Sequence, residues 1–86
     1  MMHILMESDS RRDRVIVDSL PRVGEYITLW SDNQTDHDIY EVVAVVHFAS
    51  HSNGNPLLPS VLCEKRADHV ADCVAWVRNQ IGRAHV

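Results

Sequence analysis

Apolar residues recur at every second position along segment 39–48, the most apolar stretch of the chain. Successive side chains of a strand point to opposite faces, so this spacing places one continuous apolar set on a single face. That set is Tyr40, Val42, Ala44, Val46 and Phe48. The opposite face is polar at Glu41 and His47 and apolar between them. β-Branched residues oppose a helix here, and the pattern predicts a central strand that needs cover on both faces.

Segment 23–30, which precedes it, is also β-prone and completes a hairpin. Pro21 ends or bends the chain before this strand, because proline fixes its own backbone and favours extended geometry in the residue before it. Gly24 supplies conformational freedom at the start of the strand. Between the two strands, segment 31–38 is rich in the Ser, Asp and Asn residues of turns. It is too long for a two-residue turn, and we expect it to project.

Shorter β-prone segments extend the predicted sheet, at 3–6, 15–18 and 60–66. We expect the first to be an edge strand, and the polar segment 7–14 that follows it to be a loop. Segment 49–59 contains Asn53-Gly54 and two prolines, which are turn signals. Because long loops are often binding elements, this segment is a candidate contact surface.

The spacing of apolar residues predicts one helix, over 68–81. Its apolar positions recur at intervals of four, three and four residues: Val70, Val74, Val77 and Ile81. Asp68 suits the N-cap position, and Gly82 suits the position just past the end. We expect the apolar stripe of this helix to pack on the central strand as a second layer.

Together these elements predict a single α+β domain over 1–86. The expected fold is a small, strongly curved antiparallel sheet or partly open barrel of four to five strands, with one C-terminal helix. Eighty-six residues leave no room for a second core. A charged share of 23% is that of an ordinary globular chain rather than a disordered one. With no apolar run near the roughly 20 residues that span a bilayer, and no signal-peptide pattern, we expect a cytoplasmic protein without a membrane partner.

A further pattern marks the start of two strands rather than a chemical site. It comprises Leu20, Pro21, Arg22, Val23, Gly24, Glu25, Ile27, Leu29, Tyr40, Val42, Val43, Val45, Val46 and His47. This pattern covers about a third of the chain. It resembles one found in small bacterial and phage proteins that form compact β-barrels of the Src-homology-3 kind. The resemblance implies a barrel-like fold and a mobile-genetic-element setting, and it brings no catalytic residues.

A zinc site could be assembled from Cys63, His69 and Cys73, with His47 or His51 as a fourth ligand. Nitrogen and sulfur ligands suit zinc, and two ligands four residues apart on a helix share a face. The spacing is not that of a standard zinc motif, and a buried free thiol beside an apolar stripe is ordinary. The prediction is therefore no metal, with a zinc-stabilised domain kept as an alternative.

Other candidate chemistry is weaker. The acidic segment with Asp32, Asp36 and Asp38 lacks the sharp-turn glycine of calcium-binding loops. Pairing Cys63 with a histidine, or Ser50 with His51, gives a nucleophile and a base. No local signature supplies the third, orienting group or an oxyanion site. We predict no enzymatic activity and no cofactor.

Nucleic-acid binding through a small barrel is the main alternative. The aromatic residues available for base stacking are Tyr26, Trp30, Tyr40 and Phe48, and the nearest cations are Arg22, Lys65 and Arg66. A formal net charge of -4 and a pI near 5.8 disfavour contact with phosphate backbones. Tyr40 and Phe48 also lie on the most apolar face, where we expect them to be core residues.

The remaining hypothesis is a non-enzymatic protein-interaction module. Its predicted partner-binding residues are Trp30, Asp32, Asp36, Asp38, His51, Asn53, Leu57, Leu58 and Trp76. Aromatic anchors with a polar rim are typical of interfaces, although tryptophans and leucines also fill cores. If the mobile-element setting holds, the sharpest hypothesis is an inhibitor of a host protein, of the anti-CRISPR type. Self-association, through an uncovered strand edge or the helix, is a further expectation for so small a domain.

Overall fold

The computed structural model describes residues 1–49 and 57–84, and within these ranges the chain forms five strands and one helix. They are β1 (Met2–Ser8), β2 (Arg11–Val17), β3 (Tyr26–Trp30), β4 (His37–Val46), β5 (Ser60–Val70) and α1 (Cys73–Ala84). The strands form one sheet in the order β2-β1-β5-β4-β3. In this described part of the chain, β2 and β3 are free edges, so the sheet is not closed. The α+β class and the C-terminal helix are confirmed.

The sheet is mixed, and the expectation of purely antiparallel strands is wrong. β1 runs parallel to β5, with Leu5 opposite Ser60 and Glu7 opposite Leu62. The backbone N–H of Leu5 also donates to the carbonyl of Pro59 at 2.9 Å. A parallel pair needs a long crossover between its strands. Here the intervening chain includes three other strands, and no local sequence signal reports such a distant pairing.

β1 is an interior strand, because β2 and β5 flank it, and the predicted edge position is wrong. The predicted loop over 7–14 is also wrong. This polar segment belongs to the β1–β2 hairpin, which turns at residues 9–10. Glu7 lies opposite Arg12, and their side chains form an ion pair at 2.9 Å. Opposite charges that face each other across two strands stabilise the pairing, so polar composition here marks a hairpin and not a loop.

β4 corresponds to the predicted central strand, but its alternation shifts at Val43. Val42 lies opposite Cys63 and Ala44 lies opposite Leu62, which leaves Val43 as an extra residue in a β-bulge. Because of this extra residue, the side chain that faces the core is Val42 before the bulge and Val45 after it. As a result the predicted apolar face does not continue to its end, and Phe48 is 42% exposed rather than a core residue.

The core lies on one face of the sheet. Its fully buried side chains come from three neighbouring strands: Ile4, Met6, Tyr40, Val42, Val61 and Cys63. Partly buried residues at the edges, among them Val17 and Ile27, pack around this cluster. Burying an aliphatic side chain stabilises a fold by about 1.5–3 kcal/mol, so each residue of this cluster contributes to the stability of the sheet. Tyr40 is 1% exposed, as the sequence predicts.

α1 begins five residues later than predicted, because β5 continues to Val70. The N-cap is Asp72 and not Asp68. The Asp72 carboxylate accepts a hydrogen bond from the backbone N–H of Ala75 at 3.0 Å. Asp68 instead forms an ion pair with Lys65. Sequence alone does not separate these two aspartates, since each precedes apolar residues at helical spacing.

α1 lies beside β3 and does not cover the central strand. The Trp76 ring meets the Tyr26 ring edge-on, with 5.8 Å between centroids. On the predicted apolar stripe, Val74 is 62% exposed and Ile81 is 54% exposed, so the expected second layer over β4 is wrong. No helical structure in the described ranges combines the length and apolarity that crossing a bilayer demands.

Candidate functional site

A polar surface forms where β3 ends, β4 begins and β5 ends. Trp30 lies opposite His37, and His37 lies opposite Val70, so these three strands come together at the same end of the sheet. We call this surface the polar end. Its residues are Trp30, Ser31, Asp32, Asp36, His37, Asp38, Lys65, Asp68 and His69.

A buried carboxylate organises the polar end. Asp38 is 6% exposed. Its Oδ1 atom accepts hydrogen bonds from Ser31 Oγ at 2.6 Å and from the backbone N–H of His69 at 3.1 Å. Its Oδ2 atom lies 3.5 Å from Lys65 Nζ. Burial raises the pKa of Asp38, but these hydrogen bonds and the lysine charge outweigh burial and lower the pKa. The carboxylate is therefore charged at neutral pH.

The 31–36 loop is closed by its own hydrogen bonds. The backbone N–H of Ser31 donates to the carbonyl of Asp36 at 2.9 Å, and the N–H of Gln34 donates to the carbonyl of Ser31 at 2.9 Å. Gln34 has a positive φ of 57°, in the left-handed region. Because Ser31 is also bound to Asp38, the loop is fixed to the sheet at its base. Such preorganisation lowers the entropy cost of binding a partner.

His69 joins the end of β5 to this loop. Its Nδ1 atom lies 3.0 Å from Asp36 Oδ1. The residue has a positive φ of 52°, at an irregularity where β5 has one residue more than β4. The hydrogen bond with Asp36 raises the pKa of His69. Burial raises the pKa of Asp36, but polar interactions of its carboxylate with Ser31, His69 and Asn33 outweigh burial, so the pKa of Asp36 is lowered.

Trp30 is the large apolar side chain of the polar end, and it is 57% exposed. Its ring stacks on the ring of His37, with 4.2 Å between centroids and 26° between planes. Several acidic residues belong to the same surface. Asp32, Asp36, Asp38 and Asp68 outnumber Lys65 among the described residues of this surface, which is therefore negative when its histidines are neutral.

The Ser31 hydroxyl of the polar end has a structural partner. It donates to the Asp38 carboxylate, and Ser31 is 3% exposed. His69 makes its side-chain hydrogen bond to Asp36. Among the residues that the structure describes, no group of three or more His, Cys, Asp or Glu side chains could hold a metal ion.

The residues of the alternative zinc site lie in different surroundings. Cys63 belongs to the core, where burial raises the pKa of its thiol to about 11. The Cys73 thiol contacts the carbonyl of Val70 at 3.8 Å, and burial and the Asp72 charge raise its pKa. His69 faces Asp36. Because these three side chains lie in different surroundings, the described residues lend the zinc alternative no support.

Comparisons with known proteins do not assign a function to this chain, so its function has to be inferred from the geometry of the polar end. No family model, no curated protein and no solved structure matches the chain. The resemblance to barrels of the Src-homology-3 kind therefore stays a prediction.

The structure groups some of the predicted partner-binding residues and separates others. Trp30 and the three aspartates of the acidic segment lie at the polar end. Trp76 is half-buried against Tyr26, at the opposite end of β3. Leu57 is 68% exposed and Leu58 is half-buried, and both precede the start of β5. The predicted residues His51 and Asn53 lie outside the described residues.

The predicted partner-binding residues did not include Ser31, His37 or Lys65, and the sequence suggested His69 only for the zinc alternative and Lys65 only for the nucleic-acid alternative. Ser31 and Asp38 are seven residues apart on either side of a turn. The predicted hairpin could therefore have suggested this one contact of the site. The contacts of Lys65 and His69 with Asp38 join positions about thirty residues apart. They depend on the β4–β5 register, which no local pattern reports.

Proposed function

We propose that this chain is a non-enzymatic protein-interaction module whose polar end binds a basic segment of a partner protein. The observation that carries the proposal is the Trp30 ring, which is 57% exposed yet held in place by stacking on His37. Tryptophan is enriched among the residues that dominate binding energy at interfaces. An ordered tryptophan at the surface is therefore an anchor for a partner.

The charges around Trp30 favour a basic partner. Asp32 is an exposed residue two positions after Trp30, and the lowered pKa values of Asp36 and Asp38 keep both carboxylates charged at neutral pH. A lysine or arginine of the partner can lie over the indole face in a cation–π contact, worth about 0.5–1 kcal/mol at an exposed site. The acidic rim adds electrostatic attraction that speeds encounter.

The same contacts argue against the nucleic-acid alternative. Tyr40 is buried in the core and Tyr26 packs on Trp76, so the aromatic residues do not form one stacking surface. Arg66 pairs with Glu41 and Glu64, and Lys65 pairs with Asp38 and Asp68. Cations that are already paired with carboxylates attract phosphate weakly.

We further propose that the partner is a host protein and that the chain is a mobile-element inhibitor of the anti-CRISPR type. That part is supported by the sequence pattern in residues 20–47 alone. Its test is expression of the chain in a host with an active defence system. Restored phage infection would support it, and undiminished defence would contradict it.

The binding proposal is tested with immobilised peptides of equal length that are basic, neutral or acidic. We expect the native chain to bind the basic set, with affinity that falls as salt rises. Trp30→Ala should weaken binding about tenfold, which corresponds to about 1.4 kcal/mol. Ile16→Ala is the matched control, because Ile16 is also an exposed apolar residue but lies on β2.

Equal binding by the native chain and the Trp30→Ala variant would show that Trp30 is not the anchor. Retention of single-stranded DNA in preference to every peptide would overturn the proposal in favour of nucleic-acid binding.

A further inference from the structure

A groove of about 710 Å³ separates α1 from the sheet. Residues of both free edge strands line it, with Val17 on β2 and Ile27 on β3. Val74 and Val77 of α1 form the facing wall. The groove thus lies where the open sheet leaves its core least covered, since Val17 and Ile27 both pack on the core cluster.

An apolar ridge starts at the groove wall, with Val74, and continues along the same helix to Ile81. Val74 and Ile81 are seven residues apart, which places them on one side of α1, and both are more than half exposed. α1 has twelve residues and is about 18 Å long. One copy of the chain therefore presents a ridge and an apolar groove next to each other, and both expose apolar area to water.

The charged residues of the groove are also complementary to each other. Glu25 and Arg78 both line it. Within the described residues, neither side chain forms an ion pair, and the Glu25 carboxylate accepts one hydrogen bond, from the backbone N–H of Arg22 at 2.6 Å. In a two-fold dimer, a contact from residue i of one copy to residue j of the other occurs twice. A second copy can therefore satisfy both charges reciprocally, with Glu25 of each chain facing Arg78 of the other.

We infer that the groove binds a second copy of this chain, in a two-fold dimer in which the α1 ridge of each protomer fills the groove of its partner. The occupant is a second copy because ridge, groove, acid and base all belong to one surface. Such a surface complements itself without a further protein.

This dimer leaves the polar end free. Tyr26 and Trp30 begin and end β3, and four residues of strand separate them by about 13 Å. The groove lies at the Tyr26 end, so each protomer keeps its Trp30 exposed for the partner proposed above. A dimer would thus present two polar ends.

Sedimentation velocity of the full chain over a wide concentration series tests the inference. We expect a reversible dimer for the native chain. Val74→Glu places a charge on the ridge and should raise the dimer dissociation constant at least about tenfold, or about 1.4 kcal/mol. Ile16→Glu, which charges an exposed apolar residue outside the groove, should leave that constant unchanged.

Charge reversal gives an independent measurement. Glu25→Arg and Arg78→Glu should each weaken the dimer, since like charges then face each other. Mixing the two variants in equal amounts should restore a dimer, because the introduced arginine of one chain faces the introduced glutamate of the other. Circular dichroism establishes that each variant keeps the native secondary structure.

A native chain that stays monomeric at every concentration would overturn the inference. So would a dimer that is insensitive to Val74→Glu, because it would have to form through another surface. Two folded charge variants that fail to associate when mixed would show that Glu25 and Arg78 do not face each other.

Discussion

The two ends of strand β3 hold their neighbours by different means. At the Trp30 end, the buried Asp38 carboxylate ties the loop and β5 together through hydrogen bonds. At the Tyr26 end, the Trp76 ring contacts the sheet while Val74 stays exposed. A buried carboxylate must be satisfied within the fold, because an unpaired buried charge is very costly. An exposed valine carries no such penalty, so Val74 can stay exposed until a partner binds.

This difference determines how each end can bind. The polar end is complete in itself, so it presents a fixed shape that changes little when a partner arrives. The Tyr26 end of β3 still exposes apolar surface, so a partner that binds there adds stability by mass action. We therefore expect substitutions at the polar end to lower the free energy of unfolding strongly, and substitutions at the Tyr26 end to have a smaller, local effect.

The largest expected effect is that of Asp38→Ala. The substitution removes the acceptor of the Ser31 hydroxyl and of the His69 N–H, both of which lie at least partly inside the fold. Hydrogen bonds to charged groups contribute about 1.5–3 kcal/mol each. We expect the free energy of unfolding, from urea denaturation, to fall by about 3 kcal/mol.

Asp32→Ala is the control for this measurement, because it removes an exposed aspartate from the same loop. Its effect should stay within about 0.5 kcal/mol. If the two substitutions cost the same, Asp38 does not organise the polar end.

A smaller, local effect is expected from Trp76→Ala. The variant loses the edge-on contact with Tyr26 and the half-buried area of the indole ring, for about 2 kcal/mol in all. Since α1 touches the sheet through few residues, we expect amide hydrogen exchange to quicken across α1 while the β1 and β5 amides keep their protection.

Trp30→Ala is the matched substitution at the other end of β3. It removes a largely exposed ring and should cost less than about 1 kcal/mol of unfolding free energy. Equal loss of protection in helix and sheet after Trp76→Ala would show that both unfold as one unit, and the proposed contrast between the two ends would then fail.

The extent of successful sequence prediction also differs between these regions. Alternation of apolar residues predicts β4, and turn residues predict a loop before it, because both signals are local. The loop is shorter than the predicted 31–38, since β4 begins at His37. The β-bulge at Val43 is invisible in that alternation, since an extra residue reverses the faces without changing composition. The apolar spacing of α1 indicates a helix, but it does not say whether the stripe will be buried. Val74 and Ile81 are exposed because α1 lies beside β3.

The candidate site was predictable in part. The acidic segment and Trp30 are recognisable as a surface group, since exposed aspartates and an aromatic residue near a turn fit an interface. The contacts that fix the group in place are not recognisable. They require His69 to adopt a positive φ and β5 to lie beside β4, and both depend on pairing between distant segments.

The smallest expected effect is a pH dependence of stability from the pair of His69 and Asp36. The pKa of His69 is raised above 6.5 in the fold, so its contribution is fully present below 6.5 and is lost as pH rises through the raised value. The pKa of Asp36 is lowered below 3.8, so its contribution is present above 3.8 and is lost as pH falls through the lowered value. The pair therefore stabilises the fold most between these two ordinary values.

The His69 side chain is 52% exposed and that of Asp36 is 18% exposed, so solvent screening at the histidine keeps the effect small, and the titration of His69 measured by NMR is the sensitive observable. We expect its pKa to lie above 6.5 in the native chain and to move down toward 6.5 in Asp36→Asn. The carboxylates of Asp38 and Asp68 also raise this pKa, so part of the shift should survive the substitution. An unchanged His69 pKa in Asp36→Asn would mean that the ring does not bind Asp36. The loop would then be held to β5 by Asp38 alone, and the polar end would be less rigid than its hydrogen bonds indicate.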